Sequence, residues 1–453
     1  MEDKSQYRYR FISRIVIEAV TPIAVGSGDK DIITDARVIK DVNGLPYIPG
    51  TSLAGVLRHA VGENGSNSPF WGFQDNNGGR GSEIIFSNAN LVNSDGVAVD
   101  GFVDTNNEFL RHYMNLPIRQ HAKINDKGTA AKTGKFDEEI VFKGSRFCFE
   151  IEVLSEEKKE HLMNDIIAQL YKGSFRLGGG TRSGFGEMKV VWCKKRLLDM
   201  NAADERKIYL DKSSSLSDSS FWKDIKGENN GTDADKGWTK YELNLKPDNF
   251  FLFGSGFGND DADMTPVTES CVNWTGTEAK FVDNNILIPA TSVKGALAHR
   301  VAFYYNQLTG YMADQNEPED YKNHVGNKND AVVALFGTED TGDPNIQRGN
   351  VMISDVIQKT PDCKKHEKIL NHVSIDRFTG GAIDGALFSE SVTDGRESEF
   401  SLRIMVNDKV LEKEPVKESF EKALNDIRSG MLPLGGGVNR GNGIFIEIKK
   451  VEE

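Results

Sequence analysis

Polar and apolar residues alternate along YRFISRIVIEAV (Tyr9–Val20), RFCFEIEVL (Arg146–Leu154) and EFSLRIMV (Glu399–Val406), and each run predicts a strand. Two runs carry the helical period instead. Leu162, Ile166, Ile167 and Leu170 share one face ahead of Gly173, and Phe420, Ala423, Leu424 and Ile427 share another ahead of Gly430. Two further helices are expected through Leu53, Val56 and Leu57 and through Val293 and Leu297, capped by Thr51 or Ser52 and by Thr291 and Ser292. A glycine cluster and a last strand follow each amphipathic helix.

The pattern occurs twice. The frame I-P-x-T-S-x-x-G-x-L runs from Ile48 to Leu57 and again from Ile288 to Leu297. Upstream, TPIAVGSGD (Thr21–Asp29) matches FFLFGSGFGND (Phe250–Asp260). Downstream, FWGFQ around Trp71 matches LFGTED around Phe336, and LGGGTRSGFGEMKV matches LGGGVNRGNGIFIEI (Leu434–Ile448). Matches in the same order predict two copies of one unit. We divide the chain into a first domain over 1–195, a linker or exposed insertion over 196–239, and a second domain over 240–453. The Ser-, Asp-, Asn- and Gly-rich stretch Asp211–Gly237 suits the linker. The order β–α–β…β–α–β in each copy predicts an α+β chain of two tandem ferredoxin-like (RRM-like) domains. Trp71 and Phe336, in apolar surroundings, are expected in the cores.

Composition narrows the chemistry. The 453 residues carry a net charge of −13, which argues against indiscriminate DNA or membrane binding but leaves room for a local basic groove. The four cysteines are scattered without a C-x-x-C pair, so a zinc ribbon and a disulfide framework are unsupported. The start lacks a signal-peptide core and no apolar run reaches membrane-span length, so a cytoplasmic protein is expected. The glycine clusters are neither a P-loop nor a dinucleotide fingerprint, because they lack the Lys-Ser/Thr and run from helix to strand. They could hold a phosphate backbone through Arg182 and Arg440, or be tight turns with solvated arginines. His121 and His372 have no Cys or second His at ligand spacing, so neither reads as a metal ligand.

These segments resemble a known family. RLGGGTRSGFGEMKV and PLGGGVNRGNGIFIEI are similar to the C-terminal glycine-rich loop of the RAMP superfamily of CRISPR-associated proteins. DARVIKDVNGLPYIPGTSLAGVLRHAV resembles the N-terminal region of type III backbone subunits, and NHVSIDRFTGGAIDGALFSE (Asn371–Glu390) resembles the segment leading into their protruding thumb hairpin. The whole chain resembles two fused backbone subunits of a type III-D-like system. The resemblance implies CRISPR RNA, single-stranded target RNA and other type III effector subunits as partners, and no membrane. It implies guide contacts from the glycine loops (Gly178, Gly179, Gly180, Arg182; Gly435, Gly436, Gly437, Arg440) and the repeated helices (Ser52, Arg58, Ser292, Lys294), and in so acidic a chain we expect Arg182, Lys294, Arg377 and Arg440 to line one groove.

The resemblance also implies thumb insertions and cleavage. The second thumb would include Asp376 and Arg377, either as a local ion pair or as an RNA contact. The first spans Asn115–Glu139, with Arg119, His121, Lys123 and Lys132 keeping it basic. Cleavage of target RNA would rest on Asp35, with Asp29 and Asp31 competing, and on Asp263, with Asp260 and Asp261 competing. A loosely held Mg²⁺ or Mn²⁺ would sit at Asp35. RNA supplies its own 2′-hydroxyl nucleophile, so alignment, charge and proton handling suffice. Three rivals remain: a non-catalytic guide-binding scaffold, a guide-processing endoribonuclease of the same superfamily, and an assembly protein that binds no RNA.

Overall fold

The computed structural model describes residues 7–29, 34–61, 69–75, 78–125, 130–228, 235–311, 320–338, 347–358 and 366–448. Asp31, and the side chain of Lys132, lie outside them. The chain is α+β throughout.

In the first half, β1 (Tyr9–Ala19) leads to α1 (Gly50–Ala60), then to the short edge strands β2 (Ile84–Phe86) and β3 (Ala89–Leu91). A hairpin of β4 (Ile118–Ile124) and β5 (Ala130–Glu139) projects before the long strand β6 (Arg146–Ser155), and α2 (Glu160–Leu170) and β7 (Met188–Asp199) complete the unit. β1 lies between β7 and β6, antiparallel to both, and β6 carries β2 and β3 on its other side. Alternation works as anticipated. Ile15, Ile17, Phe149 and Ile151 face the helices and are fully buried. Trp71 joins the same core.

The second half repeats this arrangement. β8 (Trp238–Pro247) is followed by the hairpin β9 (Thr268–Thr275) and β10 (Glu278–Ile288), then α3 (Ala290–Leu308) and β11 (Val351–Ile353). β12 (Glu367–His372) and β13 (Phe388–Asp394) form the counterpart of the first projecting hairpin, and β14 (Phe400–Asn407), α4 (Glu414–Arg428) and β15 (Phe445–Glu447) follow. The sheet order is β11–β14–β8–β15, all antiparallel. Phe420, Ala423, Leu424 and Ile427 are buried as the period required, and Phe336 joins this core. Gly430 ends α4 with φ 76°, a conformation that favours glycine.

Three expectations need correction. Thr51, Ser52, Thr291 and Ser292 do not cap their helices: the caps are Pro49 and Pro289. Proline fixes the extended entry, and the first helical amide is satisfied from the link that follows an edge strand. Gly50 N donates to Asn88 Oδ1 (3.0 Å) and Ala290 N to Asp355 Oδ1 (2.7 Å). The supposed linker is folded where it is described. Residues 203–210 are helical, and Leu216 and Trp222 are buried on the outer face of the first sheet. Arg14 holds the segment by donating to the Leu216 and Asp218 carbonyls. Finally, Leu162 is only partly buried, and Met163 takes its place on the inner face of α2.

The halves are interlocked. The β9–β10 hairpin, where the first copy has only a short turn closed by the Lys40–Pro46 bridge, places Val272 and Ala279 in the first half's core, with Phe281 packed among Phe109, Tyr113 and Phe142. Trp274 Nε1 donates to the Gly144 carbonyl at 2.7 Å. Arg119 of the first thumb is 6% exposed and is held between Glu269 and Asp355 of the second half, themselves nearly as buried. Glu187 bonds Ser354 (2.6 Å) and Arg403 (3.0 Å) across the same junction. No helix among the described residues is long and apolar enough to cross a membrane.

Candidate nucleic-acid interface

The duplication makes the candidate aspartates comparable atom by atom. Ser27 N donates to the Arg37 carbonyl and Ile39 N to the Val25 carbonyl; Ser255 N donates to the Thr265 carbonyl and Val267 N to the Phe253 carbonyl. These ladders enclose loops of equal length, so Asp35 and Asp263 take matching places. Each then meets its own thumb strand. Ala36 bridges to Glu138 and Met264 to Glu390, both in parallel sense. Asp35 Oδ2 accepts the Asp137 amide (3.1 Å), and Asp263 Oδ2 accepts the Ser389 amide (2.7 Å). Asp260 and Asp261 fall earlier, in a turn closed by Asn259, and Asp29 lies six residues before Asp35.

Asp35 and Asp263 are both exposed. Asp263 also accepts the Ser389 hydroxyl at 3.0 Å, and the Ser389 amide and hydroxyl together hold its carboxyl below the usual carboxylate range. Asp137 stands where the second copy has Ser389, so the first site has two neighbouring acidic side chains. Among the described residues no three His, Cys, Asp or Glu side chains converge as a closed metal site.

On the other face of each thumb strand lies a second shared arrangement. His121 stacks on Phe136 (4.7 Å between centroids) and its Nε2 is 2.7 Å from Glu138 Oε1. His372 stacks on Phe388 (4.8 Å) and its Nε2 is 3.0 Å from Glu390 Oε1. Glu390 is fully buried, and Arg440 of the glycine loop donates to it at 2.7 Å. Sequence reasoning missed the two glutamates and the pairing of the histidines. The signal was present in F-x-E, repeated in FDEE (Phe136–Glu139) and FSES (Phe388–Ser391).

The glycine loops superimpose in conformation. Gly178, Gly180, Gly184 and Gly186 have φ of 84°, 62°, 114° and 78°; Gly435, Gly437, Gly441 and Gly443 have 96°, 67°, 91° and 78°. A Cβ on Gly178 would collide with the Ala24 carbonyl and one on Gly435 with the Leu252 carbonyl. Gly179 N and Gly436 N each donate to those carbonyls at 2.6 Å. Backbone fit to the loop before the aspartate therefore accounts for these glycines. Gly178–Gly180 and Gly435 remain exposed on their outer side.

The cations do not all face one groove. Arg182 donates to the Gly349 carbonyl (2.8 Å) and lies over Trp238; burial and the nearby Arg348 pull its pKa down to about 9. It belongs to the junction, and by loop position its counterpart is Asn439, not Arg440. Arg119 is likewise internal. Lys294, Arg58 and Ser52 are half-buried and Ser292 exposed on the repeated helices, and Arg377 is exposed on the second thumb. Asp376 does not pair with Arg377: its carboxylate accepts the Phe378 and Thr379 amides and is held below the ordinary range by them. Apolar side chains stand out along the same thumb, with Phe378 98% exposed. Lys123 is exposed on the first thumb, as are Ile118 and Ile124.

The RAMP superfamily model matches residues 16–189 and 252–446, one region in each half. The chain belongs to the RAMP superfamily. The two matched regions together cover more than half of the chain and coincide with the two structural copies. Membership makes this a CRISPR-associated RNA-binding protein, with CRISPR RNA and Cas-complex partners. No curated protein matches it.

Proposed function

We propose that this RAMP protein is a double backbone subunit of a type III, III-D-like CRISPR ribonucleoprotein. In this reading it holds guide RNA and cuts complementary target RNA at two spaced positions, beside Asp35 and beside Asp263. The observation that carries the reading is the matched placement of these two exposed carboxylates, each bonded to the base of its own thumb strand. The strand order supports reading each half as a ferredoxin-like domain. The exposed thumb residues Ile118, Ile124, Phe378 and Leu387 would wedge apart the guide–target duplex. An extruded nucleotide leaves its 2′-hydroxyl free to swing into line with the adjacent phosphate, which a regular A-form duplex prevents.

Asp35, an exposed carboxylate of the kind that binds Mg²⁺ or Mn²⁺ singly or in pairs, would hold such an ion loosely, and the ion would supply charge neutralisation at the RNA phosphate. As the alternative to holding the ion, the carboxylate would accept the 2′-hydroxyl proton as that oxygen bonds to phosphorus, while the P–O5′ bond breaks and the leaving 5′-oxygen takes a proton from water. We place the protein in the cytoplasm. A scaffold role in the second half is the competing reading, favoured there by the Ser389 bonds that tie up Asp263.

The test uses the assembled, guide-loaded complex with labelled complementary RNA in Mg²⁺ or EDTA, comparing wild type, Asp35→Ala and Asp263→Ala. Two cuts, each lost in one variant and both lost in EDTA, are expected, with target binding nearly unchanged. Tight binding without any cut assigned to this chain would leave the scaffold reading.

A further inference from the structure

The junction between the halves has an equivalent surface on the outer side of the first half, and the chain itself covers it. The Ser354 amide donates to the Arg403 carbonyl and the Ser87 amide to the Glu150 carbonyl, so Ser87 matches Ser354 and Glu150 matches Arg403. Arg403, on the outer face of the second sheet, receives Glu187 from the first half. Glu150, on the outer face of the first sheet, is already taken: Arg14 donates to it at 2.8 Å, Lys212 at 2.6 Å and Trp222 Nε1 at 3.2 Å. Lys212 and Trp222 belong to the segment joining the halves, and Trp222 is 1% exposed.

The charges that hold the junction are missing at both outer ends. Asp355 has Asn88 as its counterpart in the first half, since each accepts the first amide of the repeated helix that precedes it, α3 or α1. Arg119 lies two residues before His121 and corresponds to Leu370, two before His372; Glu187 corresponds to Ile444 by loop position. An incoming copy of this chain would therefore bring Leu370 and Ile444 to a surface whose Asn88 is neutral but whose Glu150 is charged, saturated and covered by Lys212 and Trp222. Like would not stack on like.

We infer that residues 203–228 cap the first half's copy of the docking surface, so that a row of such domains ends there and this chain is joined only through its second half's glycine-loop and thumb side. The neighbour on that side is a different RAMP-fold domain, with neutral or apolar residues where this chain has Asp355 and Arg403. The inference rests on the backbone-subunit reading for the existence of a row, but not on cleavage.

A photo-crosslinking residue, p-benzoylphenylalanine, placed singly at Ser219 or at Val438 tests it. Both positions are exposed, one on the cap and one on the second glycine loop. The full chain would be irradiated free at high concentration and within the guide-loaded particle, and intermolecular protein adducts read by mass spectrometry. Adducts to a different RAMP-fold polypeptide from position 438 in the particle, with none from 219 in either sample, are expected. An adduct from 219, an adduct from 438 to a second copy of this chain, or none from either position would overturn the inference. A particle that crosslinks as expected yet cuts no RNA would sink the cleavage proposal alone.

Discussion

Removing the Arg119 guanidinium while keeping its bulk, as Arg119→Met, should test what holds the two halves in one register. Surface ion pairs contribute about 0–1 kcal/mol, and that range would apply if Arg119 were solvated. It is not: Arg119, Glu269 and Asp355 are 6%, 8% side-chain and 5% exposed. Taking one partner from such a group strands two buried carboxylates, at a cost of about 3–5 kcal/mol. Methionine preserves the packing against Phe185, over whose ring the guanidinium lies at 4.7 Å. Burial already raises the Glu269 pKa, and loss of the neighbouring cation raises it further. A raised carboxyl destabilises the fold fully above its folded pKa, and the penalty fades as pH falls toward the ordinary value. Urea unfolding of wild type and variant at several pH values between neutral and about 4 should therefore show a deficit that shrinks with acid. Adding Glu269→Gln should restore part of it. A deficit below about 1 kcal/mol, or one indifferent to pH, would refute the account.

Gly178→Ala and Gly435→Ala should each destabilise by more than about 1 kcal/mol, because a left-handed φ and a carbonyl collision combine; Gly441→Ala, with open space around its Cβ, should cost only about 1 kcal/mol in thermal unfolding. Glu390→Gln should release Arg440 toward phosphate, so that the salt dependence of guide binding by filter assay steepens by about 0.7–0.9 in log–log slope. Ser389→Ala removes the hydroxyl bond to Asp263, and its carboxyl, followed by NMR, should titrate higher than in wild type while staying below the ordinary value through the remaining amide bond.

The duplication and the core were readable because both rest on periodicity that local residues impose. Alternation placed Phe149 and Leu402 inward, and the helical period placed Ile166 and Leu424. The equivalence of Asp35 and Asp263 was half visible. The sequence left Asp260 and Asp261 in competition, since only the long-range ladders from Ser27 and Ser255 fix which carboxylate reaches the thumb strand. The fate of individual arginines was not readable at all. Arg182 and Arg440 look alike in their loops, yet one meets a carbonyl across the junction and the other a buried glutamate, because the loops face different neighbours. The Ser-rich segment misled by composition: its serines bond locally while Leu216 and Trp222 carry its burial.

The β9–β10 hairpin has a bearing on how the chain is made. The N-terminal core lacks Val272 and Ala279 until residues far along the polypeptide have left the ribosome. Until then Phe109 and Phe142 have no Phe281 to pack against. The first unit is thus left unfinished throughout its own synthesis and until the hairpin emerges, exposed to aggregation or to chaperones for that interval. A gene split between the repeats would yield an N-terminal product with a hole and a C-terminal product with an unsheltered hairpin until the two met. The hairpin thus makes the two repeats dependent on each other for a finished core, even though each carries its own sheet.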